Sequence, residues 1–435
     1  MPTPAADVAH LLRRVGFGGL PAEIAALTPL TWEQIVDRVL DVSSAPPINA
    51  GLPNLDRNRG WWERYVDMTQ FWTERCRTTN APLAEKMVLF WHGFLCSAMD
   101  KVADHQAMFE QNQVFRVHGL GSFQTLLRET SLQAAMLRYL DNDVNVAGSP
   151  NENFARELME LFTVGVGTPS QPTYTENDVR ESARAWTGYG VDDNTGRYVF
   201  RPEKHDNGAK TFMGTTQNWD GPQIITHLVD GPPRVQTSRF VAAKLWAFLA
   251  YPKPDAAIID TISAAFRDSN MRIDALVRAI LLHPEFRSTR ARQGLVRSPF
   301  EFVVAAMRYT GLPSSVAHPE WTLEPMGQKP FDPPNVSGWR QNEYWISAPA
   351  MWAKSNFASH MRWRGIDAGL LANTASLSVD GAVNAALALH GIDRPSATTI
   401  AALRNFVDEE RSSSRWAEQA GLLFLTLLTP EFQLA

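Results

Sequence analysis

The stretch 151–186 constrains the fold most, because its apolar residues recur at helical spacing on both sides of a Gly/Pro/Ser loop. The first pattern has an apolar stripe that includes Phe154 and Leu158. The second begins at Thr175, with Asp178 three residues later in the position of a capping box. The sequence therefore predicts two amphipathic helices joined by a short loop, and a chain built around them is expected to be helical.

The opposite faces of both helices carry charged groups. These side chains are Arg156, Glu157 and Glu160 in the first helix and Asp178, Glu181 and Arg184 in the second. If the two faces meet, burial and mutual charge would shift the pKa values of the carboxylates, or a cation would be recruited. If both faces point into solvent, they are ordinary helix surfaces, and spacing alone favours that second interpretation.

The rest of the 435-residue chain predicts one mainly α domain over residues 1–435. Hydrophobic residues make up 44% and charged residues 20%, which suits a globular protein with a sizeable core. Residues 190–222 are polar and Gly-rich with short β-type pieces, so they predict a small strand-containing insertion. Residues 311–350 contain GQKPFDPPNVSGW and predict a stiff, extended loop. We therefore expect a large helical bundle or array with two excursions.

Charge and motif content exclude several classes of function. The net charge is −5 and there is no basic tract, so nucleic-acid binding is not expected. No apolar run reaches the roughly 18 residues of a membrane span. The two cysteines support neither a disulfide framework nor a cysteine zinc site, and no nucleotide-binding or serine-hydrolase motif is present. The N-terminus lacks a signal pattern, so a cytoplasmic protein is expected, or an exported one if a signal was removed.

Three other segments carry candidate site residues. His92 lies in a strongly apolar helix, where an imidazole is usually a core residue and less often a buried base or ligand. The loop KHDNGAK places His205 and Lys210 in one turn, which is either an acid/base element or an Asx-capped turn. Trp339 is the last residue of the motif GQKPFDPPNVSGW within the Pro-rich loop. The 14 tryptophans of the chain indicate core filling or stacking on sugar faces and aromatic rings.

Nine motifs, in order along the chain, resemble those of the bacterial domain-of-unknown-function 1800 family. They are HLLRRVGFG (10–18), EKMVLFWHGF (85–94), AMLRYLDN (135–142), NENFARELMELFTVGVG (151–167), YTENDVRESARAWTGY (174–189), HDNGAKTFMG (205–214), ILLHPEFRS (280–288), VRSPFEFV (296–303) and GQKPFDPPNVSGW (327–339). The resemblance implies a helical, often exported protein, often encoded beside proteins with an alkaline-phosphatase-like fold, and it assigns no reaction class. Family members typically read FWHxHF where this chain reads FWHGF, which weakens a two-histidine ligand arrangement at His92.

The family signature favours the site-lining interpretation of the charged faces. We therefore expect an enzyme of hydrolase, lyase or epimerase type, rather than redox type, acting on a carbohydrate or other small polar substrate. The expected acid/base residues are Glu157, Glu160, Asp178, Glu181, His205 and His92. The first four are also the expected ligands of a divalent cation (Mg, Mn or Ca), and the expected substrate-binding residues are Arg156, Arg184, Lys210, Trp186 and Trp339. The alternative is a non-catalytic partner or binding protein for an alkaline-phosphatase-like neighbour.

Overall fold

The fold is mainly helical. The structure, a computed structural model, describes residues 1–411 and 415–435. Within these residues the chain forms 23 α-helices and six short strands, which confirms the predicted mainly α class with small β excursions. The α-helices are α1 (Ala5–Val15), α2 (Pro21–Leu27), α3 (Trp32–Leu40), α4 (Trp61–Thr78), α5 (Pro82–Phe94), α6 (Met99–Val102), α7 (His105–His118), α8 (Phe123–Ser131), α9 (Ala134–Tyr139), α10 (Asn153–Glu160), α11 (Glu176–Ala185), α12 (Gly221–Asp230), α13 (Arg234–Leu249), α14 (Ala256–Asp268), α15 (Ile273–Leu282), α16 (Pro299–Thr310), α17 (Ser314–Ala317), α18 (Pro319–Thr322), α19 (Ala348–Asp367), α20 (Val379–Leu389), α21 (Ala397–Arg411), α22 (Arg415–Leu428) and α23 (Pro430–Gln433).

The strands form three antiparallel hairpins. They are β1 (Gly167–Thr168) with β2 (Gln171–Pro172), β3 (Tyr189–Val191) with β4 (Tyr198–Phe200), and β5 (Lys210–Phe212) with β6 (Thr215–Gln217). The turn between β5 and β6 consists of Met213 and Gly214, both with positive φ, as a two-residue hairpin turn that matches strand twist requires. The last two hairpins occupy the insertion predicted over residues 190–222.

The chain folds as two compact units. The first comprises residues 1–86, 282–330 and 340–435, and the second comprises 87–281 and 331–339. The division falls inside α5 and at the end of α15. The short segment 331–339 therefore belongs to the second unit, although its neighbours in sequence belong to the first. The single domain expected over residues 1–435 stays a prediction, and the structure shows two compact units.

The core of the first unit combines aromatic packing with buried charge. Trp72 of α4 packs on Phe300 of α16 with ring centroids 4.6 Å apart. Arg75 of α4 donates from Nε to Oε1 of Glu85 at 2.6 Å, and both side chains are buried. A buried charge is tolerated only when it is paired. The Arg75–Glu85 pair therefore helps to hold α4 in place, together with the apolar side of this helix.

The core of the second unit is built from aromatic contacts between helices. Phe154 of α10 packs edge-on against Trp186, which directly follows α11, with ring centroids 4.7 Å apart. Phe123 of α8 packs in the same way on Phe266 of α14. The apolar stripes predicted for α10 and α11 therefore face the core. Among the described residues, no helix is both long and apolar enough to cross a membrane.

The predicted loop over residues 311–350 contains short helical turns. α17 and α18 lie in its first half, and a 3-10 turn spans Asn342–Ile346. Pro319 occupies the first turn of α18, where its missing N–H costs nothing. The prolines therefore start helices here as well as stiffening the chain. Residues 331–339, by contrast, form neither helix nor strand.

Candidate functional site

Two of the predicted catalytic carboxylates hold the β5–β6 hairpin. Asp178 accepts hydrogen bonds at Oδ2 from the Thr175 amide at 2.8 Å and the Thr175 hydroxyl at 2.7 Å. Its Oδ1 accepts from the Met213 amide at 2.7 Å. Glu181 accepts from the Thr211 amide at 2.9 Å. The β5–β6 hairpin therefore covers the charged face of α11. The two carboxylates accept hydrogen bonds from the backbone amides of this hairpin.

The basic side chains of the same region hold the KHDNGAK loop. Arg184 donates to both oxygens of Asp206, at 2.7 and 3.2 Å, and to Glu181 at 3.0 Å. The bond from Arg184 holds the pKa of Asp206 below its usual range. Lys210 is buried and donates from Nζ to the carbonyl oxygens of Asp206, at 2.5 Å, and Gly208, at 3.0 Å. An anionic substrate would have to displace these partners to reach either cation.

His205 and Trp186, two of the predicted site residues, contact other parts of the protein. His205 is half-buried and donates from Nδ1 to the carbonyl oxygen of Thr187 at 2.8 Å. Its ring lies edge-on to Phe200, with centroids 5.4 Å apart. Trp186 is fully buried. The substrate-stacking role expected for Trp186 does not fit this position, because its ring faces the core instead of a ligand.

Arg156 joins the two helices at the surface. It binds both carboxylate oxygens of Glu176, at 2.8 Å each, and Glu152 at 3.1 Å. The bond with Glu176 raises the pKa of Arg156 above its ordinary value. This bidentate pair spans from α10 to the first turn of α11, where a carboxylate also complements the helix dipole.

Glu157 and Glu160 are two partly buried carboxylates whose charges influence each other. Burial raises the pKa of Glu157, and the nearby charge of Glu160 raises it further. Glu160 accepts a hydrogen bond from the Tyr174 hydroxyl at 3.0 Å. Burial and this bond raise the pKa of Tyr174 to about 12. The charge of Glu160 thus affects Glu157, and Glu160 is also hydrogen-bonded to Tyr174.

The structure does not gather the four carboxylates into the expected cation site. Among the residues it describes, no group of three or more His, Cys, Asp or Glu side chains is placed to hold a metal ion. The physical reason is the hairpin, since Asp178 and Glu181 turn towards its backbone amides and away from Glu157. The carboxylate cluster expected from the charged faces is therefore reduced to the Glu157–Glu160 pair.

Two groups outside the predicted set, Cys96 and Tyr139, are affected by the charge of Glu157. Burial raises the pKa of Cys96 to about 12, and the charge of Glu157 acts in the same direction. Burial also raises the pKa of Tyr139, with further contributions from Cys96, Asp100, Asp332 and Glu157. These interactions depend on tertiary packing, so helical spacing along the chain gave no signal for them.

His92 has a structural position beneath the Pro-rich segment. The ring is fully buried, and its Nε2 accepts a hydrogen bond from the Phe331 amide at 3.0 Å. Burial lowers the pKa of His92 to about 3, so the imidazole is neutral at neutral pH. Trp339 packs on the same ring, with centroids 5.3 Å apart, and is itself buried. Both residues therefore anchor the segment 331–339, and neither presents a ring face to solvent.

The same segment is tied to α5, α6 and the turn between them at further points. The Cys96 thiol donates to the carbonyl oxygen of Val336 at 3.0 Å, and the Asp100 amide donates to Oδ1 of Asp332 at 3.0 Å. Gly338 has φ of +79°, and a Cβ there would lie 2.1 Å from the carbonyl oxygen of Gly93. Only glycine fits this approach, so Gly338 sets how closely the segment packs on α5.

A cavity of about 580 Å³ lies in the second unit beside α11. Its wall includes Tyr174, Asn177, Asp178 and Gln236. Tyr174 is the link to the carboxylate pair, because its hydroxyl contacts Glu160. The cavity and the pair thus share one side chain, and the wall offers hydroxyl and amide groups suited to a polar ligand.

Comparison with known proteins identifies a family but no individual relative. A family model described as "Protein of unknown function (DUF1800)" matches residues 10–434. The comparisons with curated proteins and with solved structures found no match. Because that range covers nearly the whole chain, the protein belongs to the DUF1800 family of proteins of unknown function.

Proposed function

We propose that the protein is an enzyme that uses the Glu157–Glu160 pair for proton transfer on a carbohydrate or other small polar substrate. The observation that carries the proposal is the environment of Glu157. Its carboxyl group is half-buried, and its pKa is raised by burial and by Glu160, with Arg156 opposing. Two neighbouring carboxylates with different environments are the usual arrangement for a general acid and its partner base.

The cavity beside α11 supplies the place for the substrate. Tyr174 lines it and donates its hydroxyl to Glu160. A substrate hydroxyl in the cavity would therefore lie one hydrogen bond from the pair. Support for cation-assisted chemistry is weaker, because Asp178 and Glu181 are occupied by the Met213 and Thr211 amides. We therefore assign acid/base chemistry that does not require Asp178 and Glu181 to bind a cation.

The test is the replacement Glu157→Gln, which keeps the shape of the side chain and removes its proton. Wild type would be incubated with defined neutral and uronic-acid oligosaccharides, with new reducing ends and unsaturated products measured. Glu157→Gln is expected to lower turnover by about a hundredfold or more. The control Glu176→Gln removes an exposed carboxylate that pairs only at the surface, and it should retain nearly full turnover. Equal turnover in the two variants would contradict the proposal, and failure of wild type to process any of the oligosaccharides would contradict the carbohydrate assignment.

A second candidate function is recognition of an alkaline-phosphatase-like protein encoded beside this one. The observation that favours it is an exposed aromatic pair in the first unit. Trp363 and Trp416 pack with ring centroids 4.8 Å apart while remaining 43% and 49% exposed. Exposed tryptophans are typical of interaction surfaces. The test is titration calorimetry with the purified neighbour, where loss of binding in Trp416→Ala would support this function and absence of binding by wild type would remove it.

A further inference from the structure

The first unit contains a second cavity, of about 650 Å³, between α18 and α19. Its wall is aromatic and imidazole-rich. The side chains that matter for ligand binding are His318, Trp321, Thr322, Trp352, Asn356 and His360. None of these residues belongs to the constellation around Glu157, so this cavity needs its own explanation.

Two tryptophans present large apolar surfaces at the cavity. Trp321 is 61% exposed and Trp352 is 71% exposed. Trp321 is supported from behind by Trp62, with ring centroids 4.6 Å apart. A tryptophan left this exposed forgoes a large gain from burial. Two of them beside one concave surface provide flat faces on which a ligand ring can stack.

Two imidazoles line the same cavity, with ring centroids 5.8 Å apart. His360 donates from Nε2 to the carbonyl oxygen of Val316 at 2.6 Å, which fixes its tautomer and leaves Nδ1 as an acceptor. The Nδ1 of His318 lies 3.1 Å from Oε1 of Glu320. When Glu320 is ionised, that contact places the proton of His318 on Nδ1, and Nε2 becomes a hydrogen-bond acceptor for a ligand.

Glu320 is an unusual residue to find behind a surface histidine. It is only 3% exposed, and besides His318 its Oε1 accepts from Nε2 of Gln70 at 3.1 Å. Its Oε2 is buried and has no hydrogen-bond partner within residues 1–411 and 415–435. A buried carboxyl oxygen without a partner is costly. His318 in turn has positive φ, at 53°. Both costs are explained if the pair serves to orient the His318 ring.

The cavity wall indicates the class of ligand. None of its residues within the described part of the chain is Asp, Glu, Lys or Arg, so the wall favours a neutral ligand. The tryptophan faces require an apolar, flat surface, and the imidazoles and Asn356 require hydroxyl or amide partners. We propose that this cavity binds a neutral saccharide, with a pyranose ring stacked on Trp321 and Trp352 and a hydroxyl donating to His318. The proposal does not depend on the chemistry assigned to Glu157.

The test is titration calorimetry of the intact protein with three neutral tetrasaccharides: cellotetraose, chitotetraose and maltotetraose. At least one is expected to bind, and Trp352→Ala should weaken that affinity about tenfold. Trp352 is largely exposed, so its removal leaves the core intact. The matched control is Trp416→Ala, which removes a similarly exposed tryptophan outside the cavity and should leave the affinity unchanged.

The role of Glu320 as a positioning residue has a separate measurement. Glu320→Gln keeps an oxygen acceptor for His318 and should retain most of the affinity. Glu320→Ala should lose about as much affinity as His318→Ala, and the double variant should lose little more, because both substitutions remove the same oriented ring. Additive losses would show that Glu320 does not act through His318.

Three results would overturn the saccharide site. The first is failure of all three tetrasaccharides to bind. The second is equal weakening by Trp352→Ala and Trp416→Ala. The third is concentration-dependent dimerisation in sedimentation velocity that Trp352→Ala abolishes, because that would assign the surface to a second copy of the chain. The two proposals have different readouts, tetrasaccharide affinity in Trp352→Ala and oligosaccharide turnover in Glu157→Gln, so they fail independently.

Discussion

Replacing Gly338 with alanine is expected to release the segment 331–339 from the rest of the second unit. The backbone there has φ of +79°, where an L side chain costs about 1 kcal/mol. The added Cβ would also lie 2.1 Å from the carbonyl oxygen of Gly93. That neighbour is backbone, so no side-chain rotation relieves the overlap, and the segment itself must move.

The size of the effect follows from the contacts that the movement breaks. The segment is held by four hydrogen bonds, in which His92, Val336, Asp332 and Phe331 provide the acceptors. At about 1 kcal/mol each, these bonds limit the additional loss to about 4 kcal/mol. Gly214→Ala is the matched control, because Gly214 has the same φ of +79° with nothing within 4 Å of its Cβ position. It should cost only the backbone term of about 1 kcal/mol.

Cys96 reports the opening directly. Both cysteines are buried, and burial raises the pKa of Cys96 to about 12, so its thiol is protected in the closed segment. In a Cys76→Ala background, native-state modification by a thiol reagent would be timed. A difference of up to about 4 kcal/mol predicts a modification rate up to roughly a thousandfold higher in Gly338→Ala than in Gly214→Ala. Equal rates would refute the reasoning that the Gly93 contact holds the segment in place.

Two further predictions concern stability. Glu85→Gln, which removes the negative charge that pairs with the buried Arg75 guanidinium, should lower the free energy of unfolding by about 3–5 kcal/mol in denaturant titrations. The exposed-pair control Glu176→Gln should lose no more than about 1 kcal/mol, and equal losses would contradict the assignment. For pH, the folded pKa of His92 is about 3 against an ordinary value of 6.5, so below pH 6.5 the unfolded chain binds a proton that the folded chain excludes. Stability should therefore fall as pH drops towards 4, and His92→Gln, which keeps an acceptor for the Phe331 amide, should reduce that slope by about 1.4 kcal/mol per pH unit. An unchanged slope would contradict the neutral, buried imidazole.

Local features were predictable from the sequence because their interactions are local. Thr175 and Asp178 form the capping box that their spacing predicts. The apolar stripes of α10 and α11 face the core, as Phe154 and Trp186 show. The strand-containing insertion was likewise predictable from its Gly-rich, β-type pieces. Each of these rests on residues within a few positions of one another, whose spacing is visible along the chain.

The partners of the charged side chains were decided by the tertiary structure. Asp178 and Glu181 accept hydrogen bonds from amides 35 and 30 residues away, so helical periodicity carries no trace of them. The segment 331–339 joins a unit whose other residues end at position 281. Helical spacing determines which residues share a face. Which distant backbone covers that face depends on how the whole chain packs, and that packing placed Asp178 and Glu181 against the amides of the β5–β6 hairpin.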